Sequence, residues 1–111
     1  MGMADFKHGD PRMVDFTPGA AVAVGDVIVT ADTVRIAHRN IANGELSALA
    51  AEGGVYECVG GAAIAVDKKV YWNAAASKVT ETASGNKVFG VTVSACSGDN
   101  ATCLVRHDPS I

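Results

Sequence analysis

Turn-forming residues divide this chain into short segments. Glycine, asparagine, aspartate and serine cluster at Gly25-Asp26, Asn43-Gly44, Gly53-Gly54, Ser84-Gly85-Asn86 and residues 97–100. The segments between these clusters are rich in valine and other β-branched residues, which favour an extended backbone. Short strands separated by frequent turns are typical of an all-β sandwich or barrel. We therefore predict a small all-β domain, either a β-barrel or a sandwich of short strands.

Apolar and polar residues alternate in most of these segments, as expected for half-buried strands. In the segment after residue 86, for example, Phe89, Val91 and Val93 share one face. Gly44–Ala51 fits both a helix and a strand, and its similarity to a later segment assigns it as a strand. The seven clearest predicted strands are Asp26–Thr30, Thr33–Ala37, Val55–Val59, Lys69–Asn73, Lys78–Thr82, Lys87–Ser94 and Ala101–Arg106.

The chain also contains two similar halves. The stretch AVAVGDVIV at residues 21–29 is echoed by AIAVDKKVYW at residues 63–72, and Thr33–Ala50 can be superposed on Lys87–Leu104. We expect two pseudo-repeated halves that close on each other, because neither half could cover its own apolar face. Chance similarity in an Ala/Val-rich chain is the alternative. The superposition pairs Val34 with Val88, Ala37 with Val91, Gly44 with Gly98 and Glu45 with Asp99.

Size and composition limit the classes of function. The chain has 111 residues, enough for one domain, and it is 49% hydrophobic but only 5% aromatic. Alanine and valine supply most of the apolar residues, and each alanine side chain buries little area. The core is therefore thin, and we expect oligomerisation or docking to add stability. The net charge of -3 and the lack of a basic cluster argue against nucleic-acid binding. No apolar run is long enough for a membrane span or a signal peptide, so we expect synthesis in a cytoplasm and no membrane partner.

The N-terminal segment differs in composition from the rest. We predict an extended N-terminal arm over residues 1–18, followed by a β-rich domain over residues 19–111. The arm mixes charged side chains with Phe6, Met13 and Phe16 and contains two prolines. It is either a frayed terminus or a segment that lies along a partner.

The sequence shows no arrangement typical of a catalytic or cofactor site. Phosphate-binding glycine motifs, a nucleophile elbow and a His-Glu-x-x-His motif are all absent from it. His8, His38 and His107 have polar or charged neighbours, and we expect them to be exposed. We therefore predict a protein that is not an enzyme and has no cofactor.

The three cysteines are expected to be small buried thiols. Cys58, Cys96 and Cys103 are odd in number and widely spaced, in segments whose composition otherwise favours strands, so a disulfide is not expected. Cys96, Cys103 and His107 form an alternative set of metal ligands. Their spacing fits no standard zinc pattern and a fourth ligand is missing.

Tyr71 and Trp72 are adjacent large aromatic residues in one predicted strand. Side chains alternate along a strand, so one of them faces inward and the other outward. The outward ring either caps the strand or anchors an interface, where Trp and Tyr are enriched.

The order of these segments resembles a known family. The stretches HGDPRMVDFTPGAAVAVGDVIV, VRIAHRNIANGELSALAAEGGVYECV, GAAIAVDKKVYWNAAASKVTETASGNKVFGVTV and SGDNATCLVRH together resemble the capsid cement, or head decoration, proteins of tailed phages and prophages. The resemblance runs from about Phe6 to His107. It rests on the succession of a Gly-Asp turn, ANGELSALA, KVYWNAA and GNK rather than on one motif.

The resemblance implies a structural virion protein that binds the outer surface of a phage capsid and stabilises the shell. Its expected partners are the major capsid protein and copies of itself, with a trimer favoured over a dimer. It would be made in the bacterial host cytoplasm and reside on the capsid surface. The candidate capsid or oligomer contacts are Phe6, Met13, Phe16, Tyr71 and Trp72.

One turn departs from the family pattern. Asp67-Lys68 stands where a Gly-Asp pair is usual, so we expect this turn to differ in geometry from Gly25-Asp26. A biotinyl or lipoyl carrier, which also builds a small barrel from two similar halves, is the alternative function. Lys68 and Lys69 are its candidate attachment residues, but they lack the flanking residues usual for such a lysine.

Overall fold

The computed structural model of the protein describes residues 3–111, and their strands form two antiparallel sheets. The strands are β1 (Ala4–His8), β2 (Arg12–Phe16), β3 (Val27–Val29), β4 (Val34–Ala37), β5 (Ser47–Glu52), β6 (Val55–Val59), β7 (Lys69–Asn73), β8 (Lys78–Thr80), β9 (Lys87–Thr92) and β10 (Thr102–His107). One sheet has the order β1-β6-β10-β9-β7-β8 and the other the order β2-β5-β4-β3. The all-β prediction is confirmed, including the strand at the ambiguous segment, but the described strands do not form a closed barrel.

The main core lies between the two sheets. Val34 and Ile36 of β4 meet Val70, Trp72 and Phe89 of the six-stranded sheet in one buried cluster. Residues two apart on a strand point to the same face, which is why alternate positions of β4 and β7 are buried. The sheets therefore pack face to face around apolar side chains, as in a sandwich.

A second, smaller cluster covers part of the outer face of the four-stranded sheet. Ala37 and Leu49 are opposite each other on β4 and β5, and both are buried. They pack against Val22 and Ile41 from the connecting segments, which are joined by an isolated antiparallel bridge. The connections thus protect apolar side chains that the first core does not reach.

Two bent strands link the sheets. The pairing of residues 4–16 with residues 47–58 begins at Ala4 opposite Cys58 and ends at Phe16 opposite Ser47. It passes from the six-stranded sheet to the four-stranded sheet at a corner. Strands that change sheets in this way need a bend in the backbone.

Three glycines form this corner. Gly9, Gly53 and Gly54 have φ values of 111°, 87° and 84°, a region that residues with a Cβ rarely adopt. A Cβ on Gly9 would lie 2.9 Å from the Cα of Gly54. The two bent strands can cross so closely only because Gly9 lacks a side chain, while a Cβ on Gly54 would lie 3.1 Å from the ring of Phe6.

The N-terminal segment pairs with this chain's own sheets. Strands β1 and β2 lie at one edge of the six-stranded and the four-stranded sheet, next to β6 and β5. The segment is extended, as predicted, but neither strand within it was predicted, because its charges and prolines obscure the alternation. Residues 1 and 2 lie outside the described residues, and the boundary at residue 18 stays a prediction.

The two halves share one topology. In the first half β2, β3, β4 and β5 have the spatial order β2-β5-β4-β3, and in the second β6, β7, β9 and β10 have the order β6-β10-β9-β7. Strand β8 is the addition to the second half. The predicted pseudo-repeat is therefore present in the fold.

Hydrogen bonds and register fix which residues correspond. Val34 pairs with Val29 of β3, and Val88 pairs with Tyr71 at the equivalent place in β7. This equivalence confirms the predicted pairing of Val34 with Val88. The register then shifts, because Phe89 is an extra residue between Val88 and Gly90. This extra residue makes the predicted pairing of Ala37 wrong by one residue, and the pairing of Gly44 is wrong by two.

Two sets of backbone hydrogen bonds show this shift. Ala37 corresponds to Thr92, since each exchanges backbone hydrogen bonds with the turn before β3 or β7. Gly44 corresponds to Asn100, because the N–H of Gly44 donates to Pro18 and that of Asn100 donates to Gly60, both at 2.9 Å.

The turn at Asp67 keeps the backbone geometry of the turn at Gly25. The N–H of Gly25 donates to the carbonyl of Ala37 at 2.8 Å, and the N–H of Asp67 donates to that of Thr92 at 2.9 Å. The φ values are 85° for Gly25 and 61° for Asp67, both left-handed. The expected difference in geometry is not found, because aspartate tolerates this region better than most residues do.

Two of the three cysteines form a disulfide. Cys96 and Cys103 are bonded, with their Cα atoms 4.9 Å apart, whereas Cys58 is free and buried. The prediction of three thiols was therefore wrong for this pair, because the turn over residues 97–100 brings the two residues together. The bond also removes both sulfurs from the alternative metal site.

We predict that Gly90→Ala strongly destabilises the fold. Gly90 is opposite His107 in β10, and a Cβ at this position would overlap the carbonyl oxygen of Arg106. The backbones must separate to relieve the overlap, so we expect the free energy of unfolding to fall by about 2 kcal/mol or more. Urea denaturation measures the change. The control is Gly98→Ala, where no atom of residues 3–111 lies within 4 Å of the added methyl group. Equal midpoints for the two variants would contradict the prediction.

A second prediction concerns Asp67. Asp67→Ala should lower the free energy of unfolding by about 1 kcal/mol, because alanine is strained in the left-handed region. The free energy of unfolding of Asp67→Gly should stay within about 0.5 kcal/mol of that of the parent protein. Glycine relieves the backbone strain, but it also increases the conformational entropy of the unfolded chain. Thermal denaturation of the three proteins tests this order. A glycine variant less stable than the alanine variant would show that the aspartate side chain, not φ, determines the turn.

Candidate interaction surface

A row of rings connects the surface of the molecule to its core. It begins at an exposed phenylalanine on the edge strand β1 and ends at a buried tryptophan on β7. Such pairs add stability beyond the area that they bury. The centroid distances are 4.6 Å for Phe6–His38, 5.6 Å for His38–Tyr56, 5.9 Å for Tyr56–His107, 5.3 Å for His107–Phe89 and 5.7 Å for Phe89–Trp72.

The outer part of this row contains a hydrogen bond between neutral groups. The hydroxyl oxygen of Tyr56 and Nε2 of His38 are 2.6 Å apart. Burial raises the pKa of Tyr56, so its hydroxyl keeps the proton that it donates. Burial lowers the pKa of His38, which favours the neutral imidazole as acceptor. The ring of Phe6 covers this pair on the solvent side.

His107 lies fully buried at the junction of the two sheets. Its Nε2–H donates to the carbonyl oxygen of Val34 at 3.0 Å, while its backbone pairs with Gly53 and Gly54 at the corner. Burial lowers its pKa to about 4, so the ring is neutral near pH 7. Its Nδ1 is buried and has no hydrogen-bond partner in the described part of the chain.

The expected exposure of the histidines was right for His8 and wrong for His107, while His38 is half-buried. The signal for His107 was present in the sequence. It follows Cys103 and Val105 at intervals of two, which places it on the inward face of β10.

The described residues bring together no metal-binding group. Among residues 3–111, no cluster of three or more His, Cys, Asp or Glu side chains could hold a metal ion. The ring row supplies neutral, packed side chains rather than an exposed nucleophile beside a base.

Tyr71 and Trp72 face opposite sides of β7, as predicted. Trp72 is 2% exposed and packs on Phe89 in the core, whereas Tyr71 is half-buried. The ammonium group of Lys69 lies 5.6 Å from the centroid of the Tyr71 ring, within the range of a cation–π contact. Of this pair, Tyr71 is the residue available at the surface.

The other predicted contact residues lie on the N-terminal edge, which we define as strands β1 and β2. Phe6 is 41% and Met13 is 45% exposed, so both present apolar area to solvent. Phe16 is half-buried against the second cluster. The structure thus brings Phe6 and Met13 to one continuous edge and separates them from Tyr71 on β7.

Several exposed apolar residues were not predicted from the sequence as contact residues. Val24 and Val66 are at least half exposed and occupy equivalent places before the turns at Gly25 and Asp67. The similarity between the two halves of the sequence could have identified this pair. The remaining exposed apolar residues are Val29, Leu46, Val93 and Ile111.

An open cleft of about 390 Å³ lies beside the glycine corner. Arg12 and Arg106 are part of its wall, and each lies 3.4 Å from a carboxylate oxygen, of Glu52 and Asp108 respectively. Each arginine charge in the wall is therefore matched by a carboxylate of the same wall.

The turn that contains Lys68 is tied to β9. The N–H of Lys68 donates to Oγ1 of Thr92 at 2.9 Å, and its carbonyl accepts from the Thr92 N–H at 3.0 Å. The lysine side chain is exposed. This arrangement offers no support for the carrier alternative.

Comparison with known proteins gives one family match. A family described as phage cement protein matches residues 6–107. No curated protein and no solved structure matches the chain. In residues 3–111, no helix has the length and apolar character needed to cross a membrane.

We predict that His107 makes the protein less stable in acid. The unfolded chain binds a proton near pH 6.5, whereas the buried ring binds one only near pH 4. The unfolded state therefore holds more protons between these values, so stability falls as the pH falls through this window, by about 3 kcal/mol in total. Urea denaturation from pH 7.5 to pH 4 measures the loss.

The variant His107→Gln isolates this contribution. Glutamine can donate to the carbonyl of Val34 but does not titrate, so the variant should show a flatter stability profile below pH 6.5. His8→Gln changes an exposed histidine and should leave the profile unchanged. Identical profiles for the parent protein and His107→Gln would contradict the assignment.

Proposed function

The chain belongs to the phage cement protein family, and we propose that it binds the outer surface of an assembled phage capsid and stabilises the shell. The observation that carries this function is the family match, which spans residues 6–107. The partner is the major capsid protein, and the site of action is the capsid surface of the virion, after synthesis in the cytoplasm of the bacterial host.

The fold suits a small structural clamp. Two sheets share one buried core, two long bent strands join the sheets, and a disulfide closes the turn before β10. Many copies bound to one shell each need contribute only a modest interface energy, because attachment at several points multiplies the effect. Bridging between capsid subunits then resists the internal pressure of packaged DNA.

The N-terminal edge is the proposed site of capsid contact. Phe6 and Met13 expose apolar area on it, and two ion pairs flank them, Lys7–Glu57 at 3.7 Å and Arg12–Glu52 at 3.4 Å. Charged side chains on an edge strand discourage indiscriminate pairing with other strands. Apolar anchors between charged groups allow specific contact with a complementary surface.

We also propose a homo-oligomer, with a trimer favoured over a dimer. The chain is small and its apolar content is largely alanine and valine, so burial against further copies would add stability. A trimer matches positions of threefold symmetry on a shell. The mass of the protein in solution distinguishes a trimer from a dimer or a monomer.

Binding to shells provides the direct test. Purified protein is mixed with expanded capsids that lack it, and the capsids are sedimented and heated. We expect saturable co-sedimentation and a higher temperature of shell disruption. Absence of both effects would contradict the proposed function.

The contribution of the N-terminal edge is tested by Met13→Ser. Loss of an exposed anchor should weaken capsid binding about tenfold, which corresponds to about 1.4 kcal/mol. The matched control is Val29→Ser on β3, at the opposite edge of the same sheet, because Met13 and Val29 are 45% and 42% exposed. Equal binding by both variants would exclude Met13 as an anchor without excluding the cement function.

A further inference from the structure

The outer faces of the two sheets differ in character. On the six-stranded sheet, the outward positions beside Val91 and Leu104 carry charges of both signs, from Lys69, Arg106, Glu57 and Asp5. On the four-stranded sheet, the row from Val14 through Leu49 to Ala37 is apolar. The second cluster already covers Leu49 and Ala37, which are 0% and 1% exposed. The accessible part of this face includes Ile28 and Arg35, which are half-buried.

A single arginine lies on the apolar face. Arg35 is directly opposite Ile28 and two residues before Ala37, so all three share the outer side of the four-stranded sheet. Ile28 packs partly on the second cluster, and Arg35 is half-buried. The side chain of Arg35 therefore lies beside the apolar side chain of Ile28.

Arg35 has no partner in the described part of the chain. Its Nε is buried without a hydrogen bond, and it belongs to none of the ion pairs of residues 3–111. By contrast, Arg12, Arg39 and Arg106 each lie 3.4 Å from a carboxylate oxygen. A buried donor without an acceptor weakens a fold unless a partner supplies the acceptor.

We propose that the accessible part of this outer face, around Ile28 and Arg35, docks a segment of the capsid protein that presents a carboxylate, which pairs with Arg35. This inference rests on the proposed cement function. Arginine forms two parallel hydrogen bonds with a carboxylate, and the free Nε is one of the donors suited to that geometry. Ile28, directly opposite Arg35 on β3, provides apolar contact beside the pair.

The test compares two substitutions of Arg35 with a matched control. Arg35→Met keeps an apolar stem and removes the charge, and Arg35→Lys keeps the charge but loses the paired geometry. The control, Arg39→Met, removes an exposed arginine that is paired with Glu45. Binding to shells that lack the protein is measured by sedimentation at low and moderate salt, together with thermal stability and solution mass of each free variant.

We expect Arg35→Met to weaken shell binding at least tenfold and Arg35→Lys to give an intermediate loss. Arg39→Met should stay within about twofold of the parent protein. The free Arg35→Met protein should melt at the same or a higher temperature, because the substitution removes an unsatisfied buried donor. A merely structural role would lower the melting temperature and would not distinguish shell-bound from free protein.

Three results would overturn the inference. If the parent protein and Arg35→Met bind shells equally well, the cement function stands but this face is not the docking surface. If Arg35→Met changes the solution mass of the free protein, the face joins copies of this chain instead. If the parent protein binds no shell, the proposed function and the inference both fail.

Discussion

The close crossing of two backbones at the glycine corner is the constraint on which the two-sheet arrangement depends. Gly9 passes Gly54 at a distance that leaves no space for a side chain, and this approach lets both bent strands change sheets together. His107 fastens the same corner, since its backbone pairs with Gly53 and Gly54 and its ring reaches Val34 in the other sheet. A neutral imidazole is thus the link between the corner and the main core.

The sequence predicted the strands that alternate and the doubling of the fold, but not the parts governed by contacts between distant residues. The alternation of apolar and polar residues in β9 and β10 was sufficient to locate these strands. Strands β1 and β2 were missed because their order comes from pairing with β6 and β5 rather than from their own composition. The Cys96–Cys103 bond was missed because it depends on how the turn folds. The repeat drifted in register because one extra residue, Phe89, is accommodated by a bulge.

The candidate surface was predictable only in part. Strand periodicity required Tyr71 and Trp72 to face opposite ways, yet only the packing of Phe89 decides that Trp72 is the buried one. Arg35 gave no signal, because an arginine between apolar residues in a strand usually extends into solvent and finds an ion there. That Arg35 lacks a partner can be established only from the positions of the neighbouring carboxylates in the folded structure. In such a chain, the functional surface residues are therefore harder to predict from the sequence than the fold is.

The continuous N-terminal edge also determines how the protein responds to mechanical load. A pull along this strand acts in shear on the ladder from Ala4 to Phe16, so its hydrogen bonds carry the force together. A pull perpendicular to the strand would peel the same bonds apart one after another. The direction in which a swelling shell strains the attached protein then decides whether the edge is its strongest or its weakest element.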